Sequence, residues 1–405
     1  MVQSKAQVTI DLGNSETRIR VSVRQGVGSK PIKRMMILSN RFATIPESYT
    51  PSSDYSAETS TIMVMQEDET RGIIGGSHIV NGELATKEFY DALGKPTAME
   101  KKYTSQYTKY SIQLAMLFAH RAIMPIIRAT SLESMDITWD VVVLLPPGDL
   151  EEGRPYIEEM IRGMKQLSYK YPNITLPFNV DKVGVFAEGF CSYVGAVFED
   201  DFSIRKGYED VAEDTTIVFD IGAGTTDVLI IQDGKPIRKT LFTVELGGNQ
   251  VTARVRLQAK QRLNARISET AIQEAMQTGY VKSGSTRIDI SDIIRVEKET
   301  FARNIVSEIK EFFEATQFPT NIIGKALICG GGAIDSDMPD VAERTGSMAT
   351  GIVDFMKKLS PSIQLVPLPV IEMITFNEDG APEKKVGCAS PRDLNLIGGS
   401  ILADL

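Results

Sequence analysis

Two segments of this chain repeat one pattern, and the second copy begins 209 residues after the first. The first copy is VTIDLGNSETRI, residues 8–19, and the second is IVFDIGAGTTDV, residues 217–228. Each has an apolar run ending in aspartate, a glycine two residues later, a turn of small residues, then threonine and another apolar run. A chain of 405 residues is long enough for two domains. The duplicated strand–turn–strand unit therefore predicts two related lobes that face one ligand.

Both turns have the composition of a phosphate site. Glycine lacks a Cβ atom, so the backbone can turn tightly and its N–H groups can approach an anion, while small polar side chains add donors. The residues of this kind are Gly13, Asn14 and Ser15 in the first turn, and Gly222, Gly224, Thr225 and Thr226 in the second. They predict that the ligand is a polyphosphate.

The aspartates at the two bends indicate a metal ion. Asp11 and Asp220 would repel a phosphate directly, unless a hard cation such as Mg²⁺ lay between carboxylate and phosphate. The structural alternative is a pair of ordinary hairpin turns with Asp and Gly at turn positions. Two copies half a chain apart favour the ligand site.

Composition excludes several classes of protein. The net charge of −9 argues against nonspecific binding of nucleic acid by the whole surface. Residues 112–127, the most hydrophobic segment, are interrupted by His120 and Arg121 and predict a buried helix rather than a membrane span. No signal peptide is visible, so a cytoplasmic protein is expected. The few, widely spaced cysteines fit a reducing compartment; they are Cys191, Cys329 and Cys388.

The hydrophobic pattern predicts the alternating strands and helices of an α/β protein. In the first half, strands are predicted at 6–11, 16–24, 31–37, 140–145 and 183–186, and helices at 102–128, 153–169 and 187–197. In the second half, strands are predicted at 215–220, 227–232, 237–243, 325–329 and 370–376, and helices at 249–266, 296–315 and 391–405. Residues 38–100 and 268–300 are polar and mixed, which suggests inserted subdomains, and 377–390 are predicted to form a polar loop.

Five motifs occur in a fixed order along the chain. They are Asp11–Ser15, Val185–Phe190, Asp220–Asp227 followed by Leu246–Gly248, Ile328–Ala333, and Asn395–Gly399. This set resembles the superfamily of actin, sugar kinases and heat-shock chaperone ATPases. In that superfamily the motifs are, in turn, phosphate loop 1, the first interlobe connection, phosphate loop 2, the adenosine motif and the second connection. The resemblance covers essentially the whole chain.

The resemblance implies a two-lobed actin-like fold, in which duplicated mixed-sheet domains enclose a nucleotide cleft. Lobe I would comprise residues 1–190, with an outer subdomain at about 38–100. Lobe II would comprise 191–390, with an outer subdomain at about 249–315, and 391–405 would return to lobe I. The chain looks most like the bacterial ParM-type plasmid segregation proteins, because it stops soon after the second connection and has no basic amphipathic end.

The resemblance also implies roles for residues. Glu188 would orient the attacking water; its alternative is a helix-terminal glutamate stabilised by the helix dipole. Asp11 and Asp220 would hold Mg²⁺ and complete the catalytic set. Lys298 and Glu299 could lie at the edge of the base or ribose, or they could lie on a solvated helix face. The β- and γ-phosphates would be bound by Gly248 and by the seven residues of the two glycine turns, Gly13, Asn14, Ser15, Gly222, Gly224, Thr225 and Thr226. Adenosine would lie against Gly331, Gly332 and Ala333.

The expected function is that of an ATPase, using ATP or GTP with Mg²⁺, that forms dynamic head-to-tail filaments. A separate DNA-binding adaptor would link them to plasmid DNA, with no direct contact to nucleic acid or membrane. A small-molecule kinase or a non-polymerising ATPase on the same fold is the alternative. A P-loop enzyme is disfavoured because no Gly-Lys pair is followed by Ser or Thr. A basic run could contact a subunit or adaptor, or be a solvated face; it is Arg254, Arg256, Lys260, Arg262 and Arg266.

Overall fold

The repeated segments form two antiparallel strand pairs, each in a sheet of its own. The computed structural model describes residues 4–13, 16–23, 32–39, 41–46, 60–64, 77–82, 97–98, 106–129, 137–171, 174–283, 285–376 and 382–404. The strands of the first half are β1 Ser4–Leu12, β2 Glu16–Val23, β3 Ile32–Ser39, β4 Arg41–Pro46, β5 Ser60–Val64, β6 Ser77–Gly82, β7 Thr97–Ala98, β8 Ile137–Leu145, β9 Gln166–Tyr171, β10 Ile174–Pro177 and β11 Asn179–Ala187. The long helices there are α1 Gln106–Ala129 and α2 Leu150–Gly163.

The first of these sheets defines lobe I. Its strand order is β11-β8-β1-β2-β3, with β1 antiparallel to β2 and parallel to β8. The apolar run of β8, ITWDVVVLL, is almost fully buried because the strand is central and covered on both faces. Strands β4 to β7 form a second sheet with β9 and β10, in the order β10-β9-β5-β6-β4-β7. The predicted insertion therefore shares its sheet with residues from a later part of the chain.

The second half contains the sheet of lobe II, in the order β14-β13-β12-β18-β19, with β15 also paired to β13. The strands of the second half of the chain are β12 Thr215–Ile221, β13 Thr226–Gln232, β14 Lys235–Pro236, β15 Phe242–Val244, β16 Tyr280–Ser283, β17 Thr286–Asp289, β18 Ile323–Cys329, β19 Gln364–Leu365, β20 Val370–Phe376 and β21 Pro382–Cys388. Its helices are α3 Phe190–Val197, α4 Glu209–Glu213, α5 Gly248–Leu263, α6 Glu269–Thr278, α7 Ser291–Thr316, α8 Pro339–Thr345, α9 Met348–Met356 and α10 Leu394–Leu402.

The sequence repeat is also a repeat of strand register. Asp11 of β1 lies opposite Arg18 of β2, and Asp220 of β12 lies opposite Asp227 of β13, so both pairs keep the 209-residue offset. Strands β1 and β12 each have a parallel neighbour on the other side, β8 and β18. Both aspartates consequently stand at the carboxyl end of a strand between one parallel and one antiparallel partner.

Helices α3 and α10 pack against each other between the two sheets. Tyr193 of α3 and Ile397 of α10 belong to a buried cluster on the lobe II sheet. On its other side, α10 approaches lobe I, where the Gln7 side chain donates to the Ser400 carbonyl at 3.2 Å. The helices can approach because Gly195 and Gly398 face the opposite backbone, where a Cβ atom would collide with the Leu394 and Cys191 carbonyls.

We expect Gly398→Ala to destabilise the protein by about 1–3 kcal/mol through overpacking. Helix propensity alone would favour alanine by about 1 kcal/mol, so the expected sign is opposite to that of an exposed helix position. Urea unfolding measures the difference. The matched control is Gly163→Ala, at the end of α2, where a Cβ atom would meet nothing within 4 Å. Equal stability of both variants would contradict close packing of α3 on α10.

Several predicted elements differ from the structure. The helix predicted over 153–169 ends at Gly163, and residues 166–171 form β9, which pairs with the adjacent β10 and with β5 from an earlier part of the chain. The strand predicted at 237–243 is a 3₁₀ turn, Arg238–Thr240, followed by the short β15. Within the polar loop predicted at 377–390, residues 382–388 form β21, which pairs with β20. Strands β9 and β21 form because neighbouring strands pair with them, which local propensity does not predict.

The polar segment 268–300 is regular rather than irregular. Ser268 caps α6 by accepting a hydrogen bond from the Ala271 N–H at 3.1 Å, and the β16–β17 hairpin follows. Helix α7 then begins at Ser291, five residues before its predicted start. Gly279, with φ of +80°, ends α6 in the left-handed conformation that glycine adopts readily.

Candidate functional site

A cavity of about 870 Å³ brings most of the predicted site residues together. Those lining it are Asp11, Gly13, Glu188, Asp220, Gly222, Thr225, Gly248, Gly331 and Gly332. Thr226 and Ala333 lie beneath the wall with fully buried side chains, and Gly224 packs against Gly247 instead of lining the cavity. Asn14 and Ser15 lie outside the described residues, and the binding or catalytic role of every residue in the set stays a prediction.

The two phosphate turns have corresponding geometry. In the second, the Gly222 N–H donates to the Thr225 carbonyl at 2.8 Å, and a Cβ atom on Gly222 would lie 3.1 Å from that oxygen. In the first, a Cβ atom on Gly13 would lie 2.6 Å from the Glu16 carbonyl, which is the equivalent position after the 209-residue offset. Both turns thus fold back over their glycine; a Cβ atom would collide at Gly13 and would be crowded at Gly222.

The second turn is bonded to the start of α5. The N–H groups of Gly248 and Asn249 donate to the carbonyls of Gly222 and Ala223, at 3.0 and 2.8 Å. The Thr226 hydroxyl is bonded to the Leu246 carbonyl at 2.7 Å, so it fixes the turn rather than facing the cavity. The N-terminus of this 16-residue helix therefore faces the cavity, and its dipole favours an anion there.

Three carboxylates line the same cavity. Asp220 is 6% exposed, Glu188 is 5% exposed and Asp11 is partly buried. The pKa of the nearby Cys191 thiol is raised well above its usual value, first by burial and then by the charges of Glu188, Asp11 and Asp220. Like charges held together in a partly dry cavity are compatible with a bound cation.

A metal ion would need ligands beyond these side chains. No group of three or more His, Cys, Asp or Glu residues is placed to hold a metal within the described ranges. Two aspartates without a third protein ligand suit Mg²⁺, which keeps several waters and is completed by substrate phosphates. Asp11 and Asp220 therefore fit the group that the sequence predicted.

Asn395 links both interlobe connections to the second phosphate turn. This residue is 4% exposed, and its Nδ2 donates to Asp220 Oδ2 at 2.7 Å. Its Oδ1 accepts from the Gly189 N–H at 3.0 Å and from the Ser192 hydroxyl at 2.7 Å. Asn395 begins the fifth sequence motif, but no chemical role was predicted for it, although a lone amide in the apolar helix LNLIGGSIL was a usable signal.

Glu188 lies just before α3 rather than within it. Its N–H donates to the Leu145 carbonyl at 2.8 Å, and Gly189 follows with φ of +55° before the helix begins at Phe190. The Gly189 N–H also donates to Asp220 Oδ2 at 3.3 Å. The connection therefore holds the Glu188 carboxylate on the cavity wall, beside the Asp220 side chain.

Two arginines that the sequence analysis did not single out also line the cavity. The Arg18 guanidinium lies 3.0 Å from Glu16 Oε2 and 3.5 Å from Asp393 Oδ1. Arg392 lies 3.9 Å from the same Glu16 oxygen and donates to the Gly331 carbonyl at 3.5 Å. Burial raises the pKa of the Asp393 carboxyl. These cations could offset the charge of a bound polyphosphate.

Lys298 and Glu299 have different environments in the structure. Lys298 is 4% exposed, so a solvated helix face is wrong for this residue, and it lines the cavity. Its ammonium lies 3.1 Å from Asp335 Oδ2. Glu299 is exposed and pairs with Arg303 on the outer face of α7.

The basic run on α5 is an exposed face, in which Arg262 makes two hydrogen bonds to Asp292.

Comparison with known proteins follows this geometry. A family model described as archaeal actin homologue MreB-like, C-terminal, matches residues 218–338, which contain the second phosphate turn and the adenosine motif. No curated protein matches the chain. No helix in the described part of the chain has the length and apolar character needed to cross a membrane.

Solved structures match over nearly the full chain. Actin-like protein Alp7A has a TM-score of 0.66 at 15% identity, over 99% of this chain and 96% of that one. The 405-residue chain therefore has the actin-like fold. The archaeal actin homolog Ta0583 in complex with ADP matches at 0.60 and 14%, over 98% of both chains. A 15-stranded ParM filament from Clostridium botulinum matches at 0.59 and 14%, over 99% of both chains.

The comparisons confirm the two-lobed actin-like fold predicted from the five motifs, and the resemblance to ParM-type proteins is confirmed as a structural likeness. In this actin-like protein, the motifs surround the cavity described above. At 13 to 16% identity the likeness concerns the fold, so the chemistry must be argued from this chain's own residues.

Proposed function

We propose that this protein is a Mg²⁺-dependent ATPase that assembles into nucleotide-dependent filaments. The main support is the convergence of both aspartate turns and Glu188 on one cavity of about 870 Å³. That volume lies within the range of about 300–1,000 Å³ common for small-molecule and cofactor sites. The ADP complex of one structural neighbour agrees with a nucleotide as the ligand.

In this proposal each group of residues has a separate role. Backbone N–H groups of the two turns beside Gly13 and Gly222 bind the β- and γ-phosphates. Helix α5 contributes through its dipole, because the N–H groups of Gly248 and Asn249 are already bonded to the second turn. Asp11 and Asp220 hold Mg²⁺, which offsets the charge on the phosphates. Glu188 orients the attacking water by accepting a hydrogen bond from it. Adenosine lies against the backbone of Gly331 and Gly332.

Assembly is proposed to use a head-to-tail contact between copies. Such a heterologous contact does not close on itself and so produces a filament. Nucleotide in the cleft would favour that contact, and hydrolysis would weaken it. The ParM neighbour from Clostridium botulinum is a filament, which supports self-association here. The cellular role would be plasmid DNA segregation in the cytoplasm through a separate DNA-binding adaptor, since the net charge of −9 disfavours direct contact.

We expect the purified protein to polymerise when ATP and Mg²⁺ are added, and to disassemble after hydrolysis. Light scattering follows assembly, and electron microscopy identifies filaments. EDTA with ATP is the control, and should abolish the cycle. Contacts of about 8 kcal/mol operate in the micromolar range. A protein that binds ATP but stays monomeric at tens of micromolar would favour the small-molecule kinase or the non-polymerising ATPase.

A further inference from the structure

Asn395 is the second residue of α10, and its side chain is buried where three segments of the chain meet. Helix α10 lies close to α3 at this point, because Gly195 of α3 faces the Leu394 carbonyl without a Cβ atom in between. The Asn395 amide can therefore contact the first interlobe connection and the second phosphate turn at the same time.

The partners of this amide allow only one orientation. A backbone N–H can only donate a hydrogen bond, and an ionised carboxylate can only accept one. The Gly189 N–H therefore requires the amide oxygen, Oδ1, at 3.0 Å, and Asp220 Oδ2 requires the amide nitrogen, Nδ2, at 2.7 Å. The Ser192 hydroxyl is a third partner and donates to Oδ1 at 2.7 Å. A rotated amide would set acceptor against acceptor and donor against donor.

The two oxygens of the Asp220 carboxylate have different surroundings. Both hydrogen bonds that it accepts from the described part of the chain end on Oδ2, one from Asn395 Nδ2 and one from the Gly189 N–H at 3.3 Å. The other oxygen, Oδ1, lies beside Gly330, which also lines the cavity and where a Cβ atom would collide with Oδ1. The protein thus fixes Oδ2 and leaves Oδ1 on a side that a glycine keeps open.

Helix α10 is also held by lobe I. Arg20 of β2 donates to a carbonyl of α10 at 3.2 Å, and Gln7 of β1 exchanges hydrogen bonds with Ser400 of α10. Asp220, in contrast, stands near the end of β12 in the lobe II sheet. The hydrogen bond from Asn395 to Asp220 therefore joins a helix that lobe I holds to an aspartate that lobe II holds.

We propose that Asn395 is a positioning residue for the metal site, which turns Asp220 Oδ1 towards the ion and makes this orientation depend on α10. The proposal rests on the proposed Mg²⁺-dependent function and adds a residue to it. Hydrogen bonds to a metal-ligating carboxylate orient it, and their loss typically weakens metal binding about 10- to 100-fold. Such coupling is reciprocal, so a metal ion at Asp220 should stabilise the hydrogen bonds at Asn395 by the same factor.

Asn395→Leu tests this role, because it removes both ends of the amide and keeps a side chain that branches at the same carbon. Binding of Mn²⁺ in the presence of ADP, followed by electron paramagnetic resonance, measures the metal without turnover. We expect the variant to bind Mn²⁺ about 10- to 100-fold more weakly than wild type. Its affinity for ADP in EDTA should match that of wild type, because no charge in the cavity changes.

Ser400→Ala is the matched control, since Ser400 lies on the same helix, is 4% exposed and loses one buried hydrogen bond, to Gln7. Both variants should unfold at a lower temperature than wild type, but Ser400→Ala should keep the wild-type affinity for Mn²⁺. A folded Asn395→Leu protein with wild-type Mn²⁺ affinity would overturn the proposal, and so would an equal loss in both variants. If wild type itself bound no Mn²⁺ with ADP, the proposed metal-dependent function would be wrong as well.

A measurement on the unaltered protein covers the case in which Asn395→Leu does not fold. The Gly189 N–H donates to both Asn395 Oδ1 and Asp220 Oδ2, so its hydrogen exchange reports on these bonds. Adding Mg²⁺ to the ADP complex should slow this exchange about 10-fold or more, as reciprocal coupling requires. Unchanged exchange of the Gly189 N–H, with ADP and Mg²⁺ shown to be bound, would overturn the positioning role and spare the proposed nucleotide function.

Discussion

Glu188→Ala should bind ATP like wild type and hydrolyse it about 10²- to 10⁴-fold more slowly, the usual contribution of a general base or water-orienting group. The structure gives the reason for this separation. The proposed nucleotide contacts come from the glycine turns and the start of α5, whereas Glu188 meets the cavity from the first interlobe connection. Its main-chain bond from N–H to the Leu145 carbonyl does not require the carboxylate, so the fold should persist.

The same variant should form filaments that outlast those of wild type, because assembly needs bound ATP and disassembly needs hydrolysis. Phosphate release, ATP titration and light scattering, measured on one preparation, separate these steps. Glu188→Gln keeps the shape and should fall between alanine and wild type. Glu314→Ala, on the exposed end of α7, is the matched control. Weak ATP binding with normal turnover per bound ATP would make Glu188 a positioning residue instead.

The sequence predicted the architecture because the architecture is repeated. A segment that occurs twice, with aspartate and glycine at fixed spacing, constrains both lobes at once, and the observed registers of Asp11 with Arg18 and Asp220 with Asp227 preserve the offset. Strands β8 and β18 were predicted for a different reason, which is the length of their apolar runs. They are central strands, and the apolar signal of such strands is continuous.

What the sequence did not show depends on contacts between distant segments. Strand β21 is a local exception: it is polar enough to resemble a loop, and its pairing with β20, which ends six positions earlier, makes it a strand. Asn395 is a single amide until the fold places it 2.7 Å from Asp220, 175 positions away. The Lys298–Asp335 pair joins α7 to a turn 37 positions later; Lys298 was a candidate in the sequence, but nothing there indicated Asp335 as its partner. Such pairings follow from packing, which local patterns do not encode.

Asp220→Ala should reduce Mg²⁺-dependent ATP hydrolysis by about 10³-fold or more, equivalent to about 4 kcal/mol, because it removes one of the two charges proposed to hold the metal ion. The Asp220 carboxylate also accepts hydrogen bonds from Asn395 and the Gly189 N–H, which fix it beside Glu188. Its loss therefore removes a proposed metal ligand and loosens the connection that carries Glu188.

Two measurements separate metal binding from folding in this variant. ATP affinity in EDTA should rise, because Asp220 without a metal ion repels the phosphates, whereas the increase in affinity produced by Mg²⁺ should be lost. Asp220→Asn keeps the size of the side chain but not its charge, and should behave like alanine if charge is what matters. Asp340→Ala, exposed on α8, serves as the control. A folded Asp220→Ala protein with wild-type hydrolysis would show that the second turn does not hold the metal, and the symmetry of the two aspartates would then be a property of the fold alone.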